Sequence, residues 1–498
     1  MAEPWWRDAV GYQVYPRSFA DSNGDGVGDL PGITAHLDHL ADLGVDAVWL
    51  SPFYRSPMAD FGYDVSDHCD VDPVFGSLAD ADALVAAAHD RGLRVLVDLV
   101  PNHTSDRHPW FVESRADRTN PKRDWYWWRD GRDGGPPTNW RATFTGEHRW
   151  QPDADGQLRP TWVAPPPADA ATSAWTLDPA TDQWYLHTFL PQQPDLNWRN
   201  PAVAAAILDV VRFWSARGVD GFRVDAIRTV GKPDVLADVP PEKAARPQSA
   251  LTDVGLVDEV IGALRAAVDA EGRDLMLLGE VHSDDLDDVV RHVGDGLFTQ
   301  VFGFPLMFEG WEAAGWARQI DAVLTAPAHR PDARISWVLS NHDEPRVVER
   351  YGSEARARAA LVAMLGLPGS AVLYQGDELG LRDAVVPAPR QVDPGGRDGC
   401  RAPLPWTAPP DLGWPAGAWL PFPAAVEGHD VAAQRADPSS TYHLCRAALA
   451  ARRASPALRR GSFEWRVREA AVLAWRRAVT EGSRTDERVV VVNARDEE

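Results

Sequence analysis

The sequence predicts an α/β fold: a (β/α)8 barrel with a small domain inserted after the third strand and a short β domain at the C-terminus. Three observations carry this expectation. Apolar runs of strand length alternate with alanine-rich amphipathic helical runs, the mark of a parallel sheet. The runs number eight, three before an interruption and five after it. Three of them lead into carboxylates, at Asp225, Glu280 and Asp343, and barrels of this kind assemble their sites at the C-terminal ends of the strands.

The strand runs are 9–15, 45–50, 94–99, 219–224, 275–278, 297–302, 334–339 and 371–374, with helical runs at 33–43, 78–90 and 202–216 among those between them. From Thr104 to Ala174 the rhythm breaks. That stretch is rich in Trp, Pro, Gly and Asp, with turns at Gly134-Gly135-Pro136-Pro137 and Pro165-Pro166-Pro167, and shows no helical periodicity. A connection of this length is usually functional. The expected division is therefore a barrel over 1–103 and 175–440, an inserted domain over 104–174, and a β domain over 441–498. The last is short enough to be a natural end or a truncated one. An apolar run at 489–492 would then be left as an exposed sheet edge.

Composition narrows the function classes. The chain has 498 residues and a net charge of −23, with 73 acidic and 50 basic residues. That balance argues against nucleic acid and anionic membranes, which attract basic surfaces. No run of 18 apolar residues occurs, and the N-terminus lacks a charged-then-apolar leader. Three scattered cysteines, Cys69, Cys400 and Cys445, suit neither a disulfide framework nor a zinc site. A cytoplasmic monomer or homodimer is the expectation. The 22 tryptophans include several in loop-like stretches, and flat amphipathic rings suit sugar faces as well as packing.

The stretch Val219 to Ile227 alternates apolar and polar residues, so Arg223 and Asp225 share a face. An arginine beside a carboxylate favours its ionised, nucleophilic form. Read alone, the pair serves equally as a structural ion pair. Glu280 follows an apolar run, a setting that raises a carboxyl pKa. Retaining glycoside hydrolysis needs one acid of each kind, about 5–5.5 Å apart.

The chain resembles the α-amylase superfamily of glycoside hydrolases (family 13), within it the oligo-1,6-glucosidase and α-glucosidase group. Asp98-Leu99-Val100-Pro101-Asn102-His103 resembles the first conserved region of that family. Gly221 to Asp225 resembles the second, Gly279-Glu280 the third, and Asn341-His342-Asp343 the fourth. Gln193-Pro194-Asp195-Leu196-Asn197 is similar to the segment that marks the oligo-1,6-glucosidase branch. Gly396 to Trp406 is similar to the late motif of the exo-acting glucosidases, with Ala-Pro-Leu-Pro-Trp where most relatives have Thr-Pro-Met-Gln-Trp. The resemblance implies Asp225 as nucleophile, Glu280 as acid then base, and Asp343 as stabiliser of positive charge at the anomeric carbon. It implies that His103 and His342 bond sugar hydroxyls, that Tyr63, Phe144 and Phe189 wall the pocket, and that Asp64 with Arg401 grips the terminal glucose. Such a closed pocket removes single glucoses. Ala226, after the nucleophile, points to α-1,4 linkages such as maltose, where valine would point to α-1,6.

The loop Asp21-Ser22-Asn23-Gly24-Asp25-Gly26-Val27-Gly28-Asp29 presents side-chain oxygens at every second position, like the first part of an EF-hand, although Gly32 stands where the closing glutamate would be. It resembles the family's divalent site, with Asp21, Asn23, Asp25, Val27 through its carbonyl, and Asp29 as ligands to a structural Ca2+, Mg2+ being the alternative. Three functions compete: an exo-acting α-glucosidase on small oligosaccharides, a transglucosylase or isomerase of the same fold such as a trehalose synthase, and a non-catalytic binding subunit. The segment from about Arg149 to Asp182 is longer than is usual for the group.

Overall fold

The computed structural model describes residues 4–143, 147–163, 172–244, 251–283, 285–326, 334–424, 426–469 and 471–494. Eight parallel strands close into a barrel: β1 (Val10–Val14), β2 (Ala47–Leu50), β3 (Arg94–Leu99), β4 (Gly221–Val224), β5 (Met276–Gly279), β6 (Gln300–Gly303), β7 (Ile335–Val338) and β8 (Ser370–Tyr374). Each pairs with its sequence neighbour, and β1 pairs with β8 (Val10 opposite Ala371) to complete the ring. All eight expected runs are strands, with ends shifted by up to three residues.

Alternation along the strands makes two apolar layers. Ala47, Trp49, Leu96, Met276, Leu278, Phe302, Val338 and Val372 fill the barrel interior, with Trp5, Trp6 and Phe304 packed against them. The residues between them, such as Val48, Leu50, Val95, Val97 and Leu277, join the larger layer under the helices. Gly221 opens β4 because a Cβ there would lie 2.3 Å from the Met276 carbonyl oxygen on β5.

The helices carry local start signals. Ser77 and Asp80 form a reciprocal capping box on Leu78–Asp90, and Asn200 caps Pro201–Ala216, whose proline sits in the first turn. The expected single helix over 33–43 is two, Leu30–Ala35 and Leu37–Leu43, broken where His36 leaves helical geometry and its ring bonds the Gly32 carbonyl.

The insertion departs from expectation in two ways. A helix, Pro109–Ala116, starts where the His108 ring accepts the Trp110 N–H and Pro109 presets the first turn. The insertion's sheet also runs past residue 174: Trp175–Asp178 and Gln183–Leu186 pair with each other, and the second with Trp128–Arg129. A separate hairpin, Glu147–Pro152 with Leu158–Val163, projects from the same unit. At the C-terminus an antiparallel sheet of three strands, Ser462–Glu469, Val472–Glu481 and Arg484–Asn493, follows the helix Thr441–Ala454. Its inner face buries Leu473, Trp475 and Val492. On the outer face Val489 and Val491 are 56% and 62% exposed, and their strand pairs only with Val472–Glu481 among the described residues, so the apolar run lies on an edge strand of the sheet. Among the described residues, no helix is long and apolar enough to cross a membrane.

Candidate active site

At the C-terminal mouth of the barrel one guanidinium organises three carboxylates. Arg223, on β4 and buried, donates from Nη1 to Asp98 Oδ1 and Asp225 Oδ1, each at 2.7 Å, and lies 2.7 Å from Glu280 Oε1 through Nη2. Asp98 comes from β3, Asp225 ends β4 and Glu280 ends β5, so three adjacent parallel strands deliver the cluster. The planar fork meets several carboxylates at once, which a lysine point charge cannot do. Glu280 also accepts the Ala226 N–H at Oε2, at 2.8 Å. Ala226 sits at φ 37°, in the left-handed region, so the chain turns sharply just after the nucleophile position.

The charge state of the cluster corrects one expectation. Glu280 does not sit in an apolar setting. Burial pushes its carboxyl up, but Arg223 and His282 (3.3 Å away) more than offset this and hold it at about 2. Asp225 is raised well above the usual carboxylate range, first by burial and then by Glu280, Asp98 and Asp343, which outweigh Arg223. The two acids titrate as a unit that keeps a proton.

Asp343 closes the site from the loop after β7. Although burial opposes it, His342, Arg397 and Arg401 hold Asp343 far below the usual range. Arg397 Nη1 donates to it at 2.8 Å and Arg401 Nη2 at 3.3 Å. His342 bonds Gln13 and the Tyr63 hydroxyl, each at 2.7 Å, and stacks on the Tyr63 ring at 5.3 Å. Burial holds its pKa down at about 3, so the ring is neutral.

The pair expected from Asp64 and Arg401 is not formed. Asp64 is fully buried and its carboxylate accepts from Ser56 Oγ and the amides of Ala59 and Asp60, bracing its own loop. Arg401 is fully buried too, bonding the His342 carbonyl and Asp393, so it positions the Asp343 segment. The pairing across the pocket belongs one turn earlier in each segment: Arg397 Nη2 meets Asp60 Oδ1 at 2.6 Å while Nη1 holds Asp343.

His103 is buried, bonded to Asn102, Gln193 and the Tyr63 carbonyl, with the Phe189 ring edge-on at 5.2 Å. Phe189 is half-buried there, and Phe144 lies outside the described residues. Sequence reasoning missed Asp60, Asp98, Arg397 and His282 as site residues. Asp98 was the most accessible of these, since an acid inside an otherwise apolar strand needs a buried partner.

In the loop after β1, Asp21 accepts the amides of Asn23, Gly24 and Gly26, Asn23 accepts that of Asp25, and Asp25 that of Val27. Asp29 accepts the Gly32 N–H at 2.6 Å and the Ser22 hydroxyl at 2.8 Å. The donors are hard oxygens of the type calcium and magnesium take. Among the described residues, no three His, Cys, Asp or Glu side chains gather as a metal-holding group, so a set here relies on Asn23 and the Val27 carbonyl as well.

Residues 13–461 match the alpha-amylase catalytic domain. A probable alpha-glucosidase of Rhizobium meliloti (strain 1021) is 42% identical over 93% of this chain and 85% of its own length. An oligo-1,6-glucosidase of Parageobacillus thermoglucosidasius is 33% identical over 93% of this chain and 86% of its own. Among solved structures, an alpha-glucosyl transfer enzyme superposes with a TM-score of 0.87 at 41% identity, covering 96% of this chain and 90% of the other. The trehalulose synthase of Pseudomonas mesoacidophila MX-45 gives 0.88 at 32%, covering 100% and 92%.

Proposed function

This chain belongs to the alpha-amylase family, and we propose that within it the protein is an exo-acting, retaining α-glucosidase releasing glucose from the non-reducing end of short α-glucosides, maltose-like ones first. The observation that carries the reading is the Arg223 cluster. One guanidinium spans Asp225 and Glu280, which favours the separation of about 5–5.5 Å used in double displacement over the wider gap of inverting enzymes. The Asp60–Arg397–Asp343 bridge supports exo action, because it offers charged partners to the hydroxyls of a terminal sugar.

In this mechanism the proton shared by the two acids is carried by Glu280 when substrate is bound, and Asp225 is the anion. An Asp225 oxygen bonds the anomeric carbon, the glycosidic C–O bond breaks, and the leaving oxygen takes the Glu280 proton. Glu280 then accepts a proton from water, whose oxygen attacks the same carbon and frees Asp225. Asp343, kept ionised, stabilises positive charge at that carbon. Neutral His342, His103, Tyr63 and Phe189 shape the sugar's surroundings. Ala226 supports a preference for α-1,4 linkages by keeping the acceptor entrance wide.

A second reading is favoured by the likeness to the alpha-glucosyl transfer enzyme: a sugar hydroxyl replaces water in the second step. Product analysis on concentrated maltose separates the two. Glucose alone supports hydrolysis, whereas trehalose or longer products support transfer.

The proposal includes a structural divalent ion, Ca2+ first and Mg2+ second, held by Asp21, Asn23, Asp25, the Val27 carbonyl and Asp29. Such an ion ties the loop's backbone together and takes no part in bond cleavage. A cytoplasmic setting is part of the same reading, supported by three free cysteines.

A further inference from the structure

The residue after Asp343 has a role that the reaction above leaves unused. We propose that Glu344 receives the hydroxyls of the second sugar ring, beyond the scissile bond, and that the inserted hairpin positions it through Trp150. This deepens, and rests on, the glucosidase reading of the same site.

Asn341 Oδ1 accepts the amides of both Asp343 and Glu344, at 2.9 and 3.0 Å, so one tight turn launches both carboxylates. Glu344 Oε2 accepts Trp150 Nε1–H at 2.7 Å. Its other oxygen has no partner among the described residues.

Trp150 belongs to the hairpin Glu147–Pro152/Leu158–Val163, which reaches across the mouth and docks on the segment after β6. Arg159 bonds Asp153 at 2.8 Å and Glu312 at 3.1 Å, and lies so close over residue 310 that a Cβ there would stand 1.3 Å from Nη1. Gln157 Oε1 accepts the Trp311 N–H at 2.6 Å. The indole of Trp150 is held in turn by the Phe308 ring at 6.2 Å and the Arg350 guanidinium at 5.6 Å. A segment from another domain thus fixes one side chain beside the catalytic acids.

The geometry also sets the direction. The terminal sugar faces Asp60 and Arg397, and the leaving oxygen faces Glu280, so the second ring departs on the Glu280 side. There His282 stacks on Phe304 at 5.2 Å, and Phe304 meets Phe308 at 6.4 Å. This aromatic run, half-buried at Phe304 and Phe308 and exposed at His282, offers one sugar face a surface, while Glu344 offers a carboxyl to the ring's hydroxyls. Burial pushes that carboxyl up to about 7.

The experiment compares maltose with α-glucosyl fluoride, whose leaving group is a single atom, for wild type, Glu344→Gln and Trp150→Phe. The ratio of kcat/KM on maltose to that on the fluoride is expected to fall about tenfold in Glu344→Gln. A smaller fall is expected in Trp150→Phe, which removes only the N–H. An unchanged ratio, or equal losses on both substrates, overturns the proposal. Failure of the wild type on the fluoride overturns the glucosidase reading itself, and the proposal with it.

Discussion

Replacing Arg223 by lysine tests how the site is built. The substitution keeps the charge and discards the fork. Arg223 holds Asp98, Asp225 and Glu280, each at 2.7 Å, with a weaker contact of 3.4 Å to the Tyr63 hydroxyl. An ammonium in the same place reaches one of these carboxylates well and leaves two without their charged donor. Charge-assisted hydrogen bonds contribute about 1.5–3 kcal/mol each. Two of them amount to about 3–6 kcal/mol, divided between folding and the transition state. If half falls on the transition state, kcat/KM drops by roughly ten- to a hundredfold. The freed carboxylates, no longer stabilised as anions, also take up protons at higher pH, so the acid limb of the rate profile moves upward. Initial rates on α-glucosyl fluoride between pH 4 and 8, with a thermal melt beside them, read both effects. A variant within twofold of wild type, with the same acid limb and melting temperature, would refute the view that the guanidinium fork organises the acids.

Three further outcomes follow from the geometry. Ala226→Val places a β-branched residue at φ 37°, which costs about 1–2 kcal/mol; its melting temperature should fall and its activity shift from maltose toward isomaltose, measured as a kcat/KM ratio. Chelation should lower the melting temperature, with calcium restoring it, and leave the products formed from maltose the same. Glu344→Gln should gain stability relative to wild type as pH rises from about 5 to 8. The sign follows from burial, which raises the folded pKa to about 7, so the wild-type contribution is full below the unfolded carboxyl value and is lost as pH passes through 7. The charged neighbours that tune this are Asp343, Arg350 and His282, and urea midpoints at several pH values measure it.

Much of this architecture was legible in the chain. The barrel strands are apolar runs of fixed length, and Asp225 and Glu280 each follow one directly, so their placement needs little beyond counting. The grip on the terminal sugar was not legible, for a local reason. Asp60 and Asp64 stand four residues apart, as do Arg397 and Arg401, and either member of each pair suits a charged bridge. The choice is made by backbone turns: Met58 and Phe61 take φ of 67° and 45°, and Gly62 113°, which aims Asp60 across the pocket and folds Asp64 back onto its own loop. Residues outside glycine rarely adopt such angles, and no periodicity announces them. The charged setting of Glu280 was hidden too, because Glu280 reads as apolar from its strand and meets Arg223 only when β4 and β5 pair. The helix at 109–116 escaped notice since its start rests on a histidine cap and a proline rather than on a repeating apolar stripe.

The most direct test is the anomer of glucose first formed from α-glucosyl fluoride, followed by proton NMR before mutarotation, for wild type and Asp225→Asn. The wild type is expected to release α-glucose and the variant no product above background. First-formed β-glucose, or a variant that keeps wild-type turnover, would contradict the assignment of Asp225 as the nucleophile of a retaining enzyme.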